Sequence, residues 1–322
     1  METILQHLQD ILALPAMLIN KCDFFPDFVK TSLIACITFI PWLYFLYYLI
    51  ELLERFILKR IGYFLKLCRT IGALFGVGIS IVPECGYQVL ASTFYSRKMI
   101  SKGTLLAFLI ACSDEALPLL FMDMSKASAI IPLVIIKSVA GVIVAVIMDL
   151  IFVFNTKIEN TNPINLDVNI PGCCNHRLIS VDQPPFWWLH PLSHTFNVFI
   201  FALFSMMFFE FCITNGYGSA EAMAQAMMID SPIQVVAGAI FGLIPNSVTS
   251  IFLAIAYVKG LISFPTLLAG MITTTGLGLY ALGKYNKNNT DNSFITMILF
   301  ITAIVVGLMT FYGIGWFGGF VH

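Results

Sequence analysis

The chain has 322 residues, of which 59% are hydrophobic and only 11% are charged, and its formal net charge is −1. This composition lies far outside the range of soluble globular domains, and no long basic stretch is present that would bind nucleic acid. Four apolar runs, residues 31–53, 127–154, 192–213 and 294–312, each approach the roughly 20 residues needed to cross a bilayer. The sequence therefore predicts an all-α polytopic membrane protein surrounded by a lipid bilayer.

Residues 1–30 are the first segment in chain order. Glu2 and Asp10 lie among its leucines, and it lacks the basic start and the small-residue cleavage site of a secretory signal. We expect an amphipathic helix that remains part of the protein.

A repeat relates residues 31–156 to residues 191–322. Pro245 follows Pro83 by 162 positions, and the same offset carries the string TLLA at residues 104–107 onto TLLA at residues 266–269. Each half then contains a spanning helix, a linker, two interrupted helices and another spanning helix. Interrupted segments at corresponding positions of two halves are typical of secondary transporters.

The linkers that follow the first span of each half differ in charge. Residues 54–70 contain five Lys and Arg side chains, whereas residues 214–231 contain none. Because basic loops stay in the cytoplasm, we expect these linkers on opposite sides of the membrane and the two repeats inverted. Inversion requires an odd number of crossings per half, either three spans with a re-entrant segment or five. A parallel arrangement is the alternative.

Prolines interrupt the apolar segments beside polar side chains. A proline inside a helix frees the carbonyl four residues before it, and irregular backbone at membrane depth is tolerated only inside protein or along a wet cavity. Acids at that depth must be protonated, paired or holding a cation. We therefore expect the interrupted helices to meet near the bilayer midplane and to form a binding site. Its candidate ligands are Glu84, Cys85, Asp114, Asn246, Ser247 and Thr275.

Glu115 and Lys137 are the candidate charge partners or proton-coupling residues. Lys137 can neutralise one carboxylate, which leaves at least one negative charge for a cation. Oxygen ligands suit Mg²⁺, Ca²⁺ or Mn²⁺, and a thiolate shifts the preference toward softer ions, so manganese or a similar divalent ion fits the mixed set. Helix N-termini at the breaks favour anions, so a permease for an oxyanion or organoarsenical is the alternative.

Residues 157–190 connect the halves and carry Cys173, Cys174 and His176. Adjacent thiols beside an imidazole can capture a soft metal ion, but their spacing is not that of a structural zinc site. An ordinary linker explains these residues equally well. We expect no cofactor, and the divalent metal ion enters only as a transported substrate.

The motifs of enzymes are missing from the sequence. It contains neither a His-Glu-x-x-His nor a Gly-x-Ser-x-Gly string, so we do not expect enzyme activity. The expected function is secondary-active export of a divalent metal cation by alternating access, with protons returning through Glu84 and Asp114.

Three strings carry a family resemblance: IVPECG at residues 81–86, IACSDEALPLL at residues 110–120 and GLIPNS at residues 242–247. They resemble those of the bacterial ten-helix heavy-metal exporters, a family also described as manganese transporters or arsenic-efflux-like permeases. The resemblance covers most of the chain and implies a multi-pass permease of the bacterial inner membrane with ten helices. Ser247 departs from the pattern, because family members often have cysteine there. A homodimer is compatible with such a permease.

Overall fold

The computed structural model describes residues 19, 24–58, 72–82, 86–112, 116–152, 189–229, 231–244, 246 and 248–317, and these contain helices and no strand. The helices of the first half are α1 (Asp27–Leu58), α2 (residues 72–80), α3 (Gly86–Ser96), α4 (Lys102–Ala111), α5 (Ala116–Leu119) and α6 (Ile130–Phe152). The helices of the second half are α7 (Leu189–Cys212), α8 (Ala220–Ala226), α9 (Pro232–Gly242), α10 (Val248–Val258), α11 (Phe264–Thr273), α12 (Gly276–Tyr285) and α13 (Asn289–Phe317).

Six helical stretches among the described residues are long and apolar enough to cross a membrane. They are Asp27–Leu53, Lys102–Met122, Ala127–Phe152, Pro191–Tyr217, Phe264–Tyr285 and Asn289–Gly313. The second combines α4 with α5, and the fifth combines α11 with α12. The protein is therefore a multi-pass all-α membrane protein, as its composition predicts. Each half supplies three candidate spans, and a count of ten spans is not confirmed.

The two interrupted spans form the centre of the bundle. Most residues in an 18-residue apolar window of each are buried, 87% for the span built from α4 and α5 and 78% for the span built from α11 and α12, against 22–33% in the windows of the other four. The outward faces of the other four are apolar, with Phe196 and Phe204 of α7 60% and 66% exposed. Continuous helices thus separate the interrupted ones from lipid.

Helices α9 and α10 form a hairpin that reaches only part of the way across. Each has 11 residues, which is about 16 Å of helix against a bilayer core of about 30 Å. Gln234 near the start of α9 donates to the carbonyl of Leu261, just after α10, at 3.1 Å. The hairpin therefore begins and ends at one level.

The same turn follows α3 and α10. Lys98 and Gly260, which are 162 positions apart, both adopt left-handed backbone with φ of 58° and 71°. Each turn is closed by a bond between equivalent atoms, from the Met99 N–H to the Phe94 carbonyl at 2.9 Å and from the Leu261 N–H to the Ala256 carbonyl at 2.8 Å. Left-handed residues of this kind commonly end helices. We call residues 97–101 the first tip and residues 259–263 the second tip.

The long helices α1 and α7 pack side by side in opposite directions. The ring of Phe28, near the start of α1, lies 5.6 Å from that of Phe211, near the end of α7. The ring of Tyr47, in the second half of α1, lies 5.5 Å from that of His194, near the start of α7. The first span of one half is therefore antiparallel to the first span of the other.

The two tips lie at opposite ends of α6. At the end of α6, the carboxylate of Asp149 accepts hydrogen bonds from the Ser101 hydroxyl at 3.1 Å and from the Gly103 N–H at 3.0 Å, so the first tip lies there. Just before its start, the ammonium of Lys126 lies 5.6 Å from the ring centre of Tyr257, beside the second tip. A helix of 23 residues, about 34 Å long, separates the tips.

The helices that follow the tips begin with equivalent hydroxyl pairs. Ser101 and Thr104 are joined at 2.9 Å between their hydroxyl oxygens at α4, and Ser263 and Thr266 are joined at 2.9 Å at α11. The offset of 162 residues therefore also holds for this local geometry.

A buried glutamine completes the start of α11. The Gln234 side chain donates to the carbonyls of Met227 at 3.0 Å and Leu261 at 3.1 Å, and its oxygen accepts from the Ser263 N–H at 3.0 Å and the Thr266 hydroxyl at 2.9 Å. Its side chain therefore satisfies two free carbonyls and two donors in a buried place, which ties the α9–α10 hairpin to α11.

An acid anchors the first tip to the second half. Asp291, in the first turn of α13, lies 2.6 Å from the ammonium of Lys102 and accepts from the Tyr95 hydroxyl at 2.7 Å and the Asn286 side-chain amide at 3.0 Å. Lys102 also lies 4.3 Å from the ring centre of Phe152. This network joins α3 and α4 of one half to α12 and α13 of the other.

An ion pair anchors the second tip. The ammonium of Lys259 contacts the carboxylate of Glu210, near the end of α7, and both side chains are largely buried. Each tip is thus held by at least one charged contact, on opposite ends of the bundle.

Candidate functional site

Three of the residues expected in the site lie in the described part of the chain: Asn246, Thr275 and Lys137. The other expected residues lie outside it: Glu84, Cys85, Asp114, Glu115, Ser247, Cys173, Cys174 and His176. The contacts of the site can therefore be described at the helix ends that flank the breaks between α2 and α3, α4 and α5, α9 and α10, and α11 and α12.

Helices that begin at breaks pack together across the two halves. The Ser92 hydroxyl of α3 donates to the carbonyl of Gly278 in α12 at 2.8 Å. A Cβ atom on Gly278 would lie 2.9 Å from the Cβ atom of Gln88, closer than side chains pack, so glycine permits this approach. Helices α5 and α10 likewise pack on each other. The first break of each half is thus next to helices that leave the second break of the other half.

Lys137 joins the second breaks of the two halves. Its ammonium donates to the carbonyl of Cys112 at 2.5 Å and to the carbonyl of Met271 at 2.8 Å, and only 2% of the residue is exposed. Cys112 directly follows α4, and Met271 is in the last turn of α11. Carbonyls at helix C-termini lack helical partners and carry partial negative charge, so a cation is stabilised there.

Hydroxyl groups satisfy the backbone at the break between α11 and α12. The Thr273 hydroxyl lies 2.9 Å from the carbonyls of both Ala239 and Gly270, and the Thr274 hydroxyl lies 3.2 Å from the carbonyl of Met271. The hydroxyl of Thr275, which is fully buried, lies 3.4 Å from the Thr273 carbonyl. These threonines let α11 stop inside the bundle with its last carbonyls paired. Thr275 directly precedes α12, and its hydroxyl makes no capping hydrogen bond to that helix.

Asn246 caps α10. Its side-chain oxygen accepts from the Val248 N–H at 3.2 Å, and its backbone carbonyl accepts from the Thr249 hydroxyl at 2.6 Å. The residue is exposed. An asparagine before the first turn satisfies donors that a helix start leaves free.

A cavity of about 410 Å³ opens beside Leu243, two residues before Pro245. Its other walls come from α13 and are Asn292, Ser293, Thr296, Met297 and Phe300. The Thr296 hydroxyl donates to the Asn292 carbonyl at 2.9 Å, so this polar group is satisfied within the helix. The cavity therefore lies between α13 and the residue that directly follows α9.

Metal ligands do not cluster among the described residues. No group of three or more His, Cys, Asp or Glu side chains in that part of the chain is placed to hold a metal ion. The acidic ligands expected from the sequence, Glu84 and Asp114, lie outside it, so their role stays a prediction.

Two structural roles could not be read from the motifs. Gln234 is a lone amide in an apolar helix, and such a polar residue is the signal that points to a buried hydrogen-bond network. The carbonyls of Cys112 and Met271 carry no side-chain signal, because any residue supplies a carbonyl. The charge of Lys137 in an apolar helix indicates a functional residue. Its contact with the second half depends on how the helices pack and cannot be predicted from the sequence.

None of the protein-family models, curated proteins or solved structures compared with the chain matches it. The fold and the helix ends define the class as an all-α, multi-pass membrane protein with helices interrupted inside the bundle.

Proposed function

We propose that the protein is a secondary-active transporter that moves its substrate by alternating access around the region where the interrupted helices meet. The observation that carries this proposal is the position of Lys137, which contacts the end of α4 from one half and the end of α11 from the other. Helices interrupted at membrane depth, facing each other across two halves, are the arrangement that transporters use for substrate sites.

The proposed architecture is a pair of inverted repeats, each with three spans and a re-entrant hairpin. The antiparallel contact of α1 with α7 supports this arrangement, and so does the position of the tips at opposite ends of α6. The basic residues Arg97 and Lys98 in the first tip and Lys102 directly after it favour a cytoplasmic position for the tip. The second tip then faces the other side, and the membrane is proposed to be the bacterial inner membrane.

The proposed substrate is a divalent metal cation such as manganese. Glu84 and Asp114 are proposed to bind it and to return protons, with further ligands from Cys85, Asn246, Ser247 and Thr275. Glu115 is proposed as the charge partner of Lys137. This oxygen-rich set with one thiol suits a borderline divalent ion. The loop residues Cys173, Cys174 and His176 are proposed to capture ions, and a homodimer is compatible with this scheme.

A permease for an oxyanion or organoarsenical is the second candidate. The fixed ammonium of Lys137 at the centre favours it, because a buried cation attracts an anion. The starts of α3 and α12, which lie side by side at the breaks, add positive partial charge. The carboxylates expected at Glu84 and Asp114 oppose it. An enzymatic function is not proposed.

Flux into proteoliposomes distinguishes these candidates. We expect an imposed pH gradient to drive manganese or zinc, and not arsenite, in the wild type. Glu84→Gln should abolish this flux, because it removes a charged ligand that also carries protons. Glu221→Gln, at an exposed glutamate of α8, is the matched control and should transport normally. Equal metal flux in wild type and Glu84→Gln would contradict the proposed site, and flux of arsenite preserved in that variant would favour the anion permease.

A further inference from the structure

The ammonium of Lys137 occupies a place built for a cation. Two carbonyl oxygens converge on it, one after α4 and one in the last turn of α11, and both belong to helix C-terminal ends. The side chain is removed from solvent. Lysine presents a compact charge on a flexible stem, so its head can reach such a place or withdraw from it.

The same oxygens are ligands that a divalent metal ion accepts. Backbone carbonyls bind hard cations, and unwound carbonyls at half-helix ends are where transporters commonly bind cations. An ammonium and a metal ion cannot share these two oxygens, because both carry positive charge and repel each other strongly at close range in a buried site. Only one of them can hold this position at a time.

The position of the ammonium also couples the two halves. Lys137 belongs to α6 of the first half, and Met271 belongs to α11 of the second, 134 residues away. The corresponding spanning helix of the second half, α13, contains no lysine or arginine. The ammonium in this contact is therefore supplied by the first half.

We propose that Lys137 is a tethered cation that holds the place of the substrate. Its ammonium bridges the carbonyls of Cys112 and Met271 while the transporter is unloaded, and the transported divalent cation displaces it and bridges the halves in its stead. Lys137 is thus a specificity-determining residue that competes with the substrate. The proposal rests on the proposed transport of a divalent cation.

Binding of Mn²⁺ and Zn²⁺ to purified protein tests this competition. A resident competitor reduces the apparent affinity in proportion to the fraction of protein that it leaves unoccupied. An ammonium that occupies this position in about nine tenths or more of the protein therefore weakens Mn²⁺ binding at least about tenfold, and Lys137→Gln and Lys137→Met should bind Mn²⁺ more tightly than the wild type by that factor. Lys137→Arg keeps the charge and should bind no more tightly than the wild type. Lys284→Gln, at an exposed lysine of α12, is the matched control and should bind as the wild type does.

The outcomes separate this inference from the proposed function. If the wild type transports and binds Mn²⁺ but Lys137→Gln binds it no more tightly, displacement of the ammonium is wrong while cation transport stands. If the wild type neither binds nor transports Mn²⁺ or Zn²⁺, both fail. Arsenite bound by the wild type and lost in Lys137→Gln would overturn the inference and favour the anion permease.

A second measurement uses the wild type, in case the neutral variants do not fold. With lysine side chains labelled with ¹⁵N, the Lys137 resonance is assigned by its loss in Lys137→Arg. Saturation with diamagnetic Zn²⁺ should shift this resonance and leave that of Lys284 in place. A Lys137 resonance that stays unchanged while Zn²⁺ binds would overturn the inference.

Discussion

The ammonium nitrogen of Lys137 lies 2.8 Å from the carbonyl oxygen of Met271, a residue 134 positions further along the chain. Through this contact a charged group from α6 of the first half rests on the end of α11 of the second. A buried charge is costly unless it is well paired, and here two helix ends supply the pairing. Any movement of one half against the other must therefore keep or replace this bond.

Gln234→Ala should destabilise the protein strongly. The variant loses four hydrogen bonds and leaves two carbonyls and two donors in a buried place without their partner. Leaving buried polar groups unsatisfied costs about 1–3 kcal/mol each, so the melting temperature in detergent should fall by several degrees. Gln225→Ala, at an exposed glutamine of α8, should change it little. Equal melting temperatures for the two variants would contradict the buried network.

Gly242→Ala should force α9 away from α11. A Cβ atom at this position would collide with the Thr273 hydroxyl and the Gly270 carbonyl. Overpacking of this kind costs about 1–3 kcal/mol, and a backbone carbonyl cannot move aside cheaply. Gly283→Ala is the control, because a Cβ atom there meets nothing within 4 Å. The melting temperature of Gly242→Ala should be lower than that of Gly283→Ala. A melting temperature of Gly242→Ala equal to that of the wild type would show that this close packing is absent.

Lys98→Gly should stabilise the first tip. Lys98 has φ of 58°, a region that is unfavourable for residues with a Cβ atom and accessible to glycine. The left-handed conformation costs a residue with a Cβ atom about 1–2 kcal/mol, and the greater freedom of glycine in the unfolded chain offsets part of this gain. The reciprocal change Gly260→Ala, at φ of 71° in the second tip, should destabilise by a similar amount. Opposite shifts in the melting temperatures of the two variants are expected, and shifts of the same sign would contradict the equivalence of the tips.

The charge pair at the second tip should tolerate exchange but not disruption. Glu210→Lys and Lys259→Glu each place like charges together in a largely buried position, so each should lower the melting temperature. The double variant restores an opposite pair and should recover most of the loss, as a double-mutant cycle measures. Additive losses in the double variant would indicate that the two side chains do not interact.

The sequence predicts much of the fold because the repeat and the hydropathy are encoded in many residues at once. The offset that relates Pro83 to Pro245 also relates Lys98 to Gly260, whose turns are equivalent. The four apolar runs correspond to four of the six stretches that can cross a membrane, and the other two are the interrupted helices. The lengths of α9 and α10 could not be predicted in this way, because both helices are as apolar as the longer spans but have only 11 residues each.

Side-chain contacts within the repeat could not be predicted in the same way. Gln234 stands 162 positions after Gly72, so the first half has no glutamine at the equivalent position. The starts of α4 and α11 therefore have different polar partners. The Asp149 carboxylate accepts from Ser101 at α4, and the Gln234 side-chain oxygen accepts from the Ser263 N–H at α11. The pattern of the repeat therefore predicts where the helices are and leaves their polar partners open. The contact of Lys137 with Met271 is another case, because a backbone carbonyl leaves no mark in the sequence.

The most direct test of the central claim is the position of the substrate ion. Crystals of the transport-competent protein grown with Mn²⁺ are measured at the manganese absorption edge, and the anomalous difference map locates the ion. We predict a peak inside the bundle, next to the carbonyl oxygens of Cys112 and Met271, where the ends of α4 and α11 meet. A map with manganese only at the surface or in the loop between the halves would contradict a binding site at the interrupted helices.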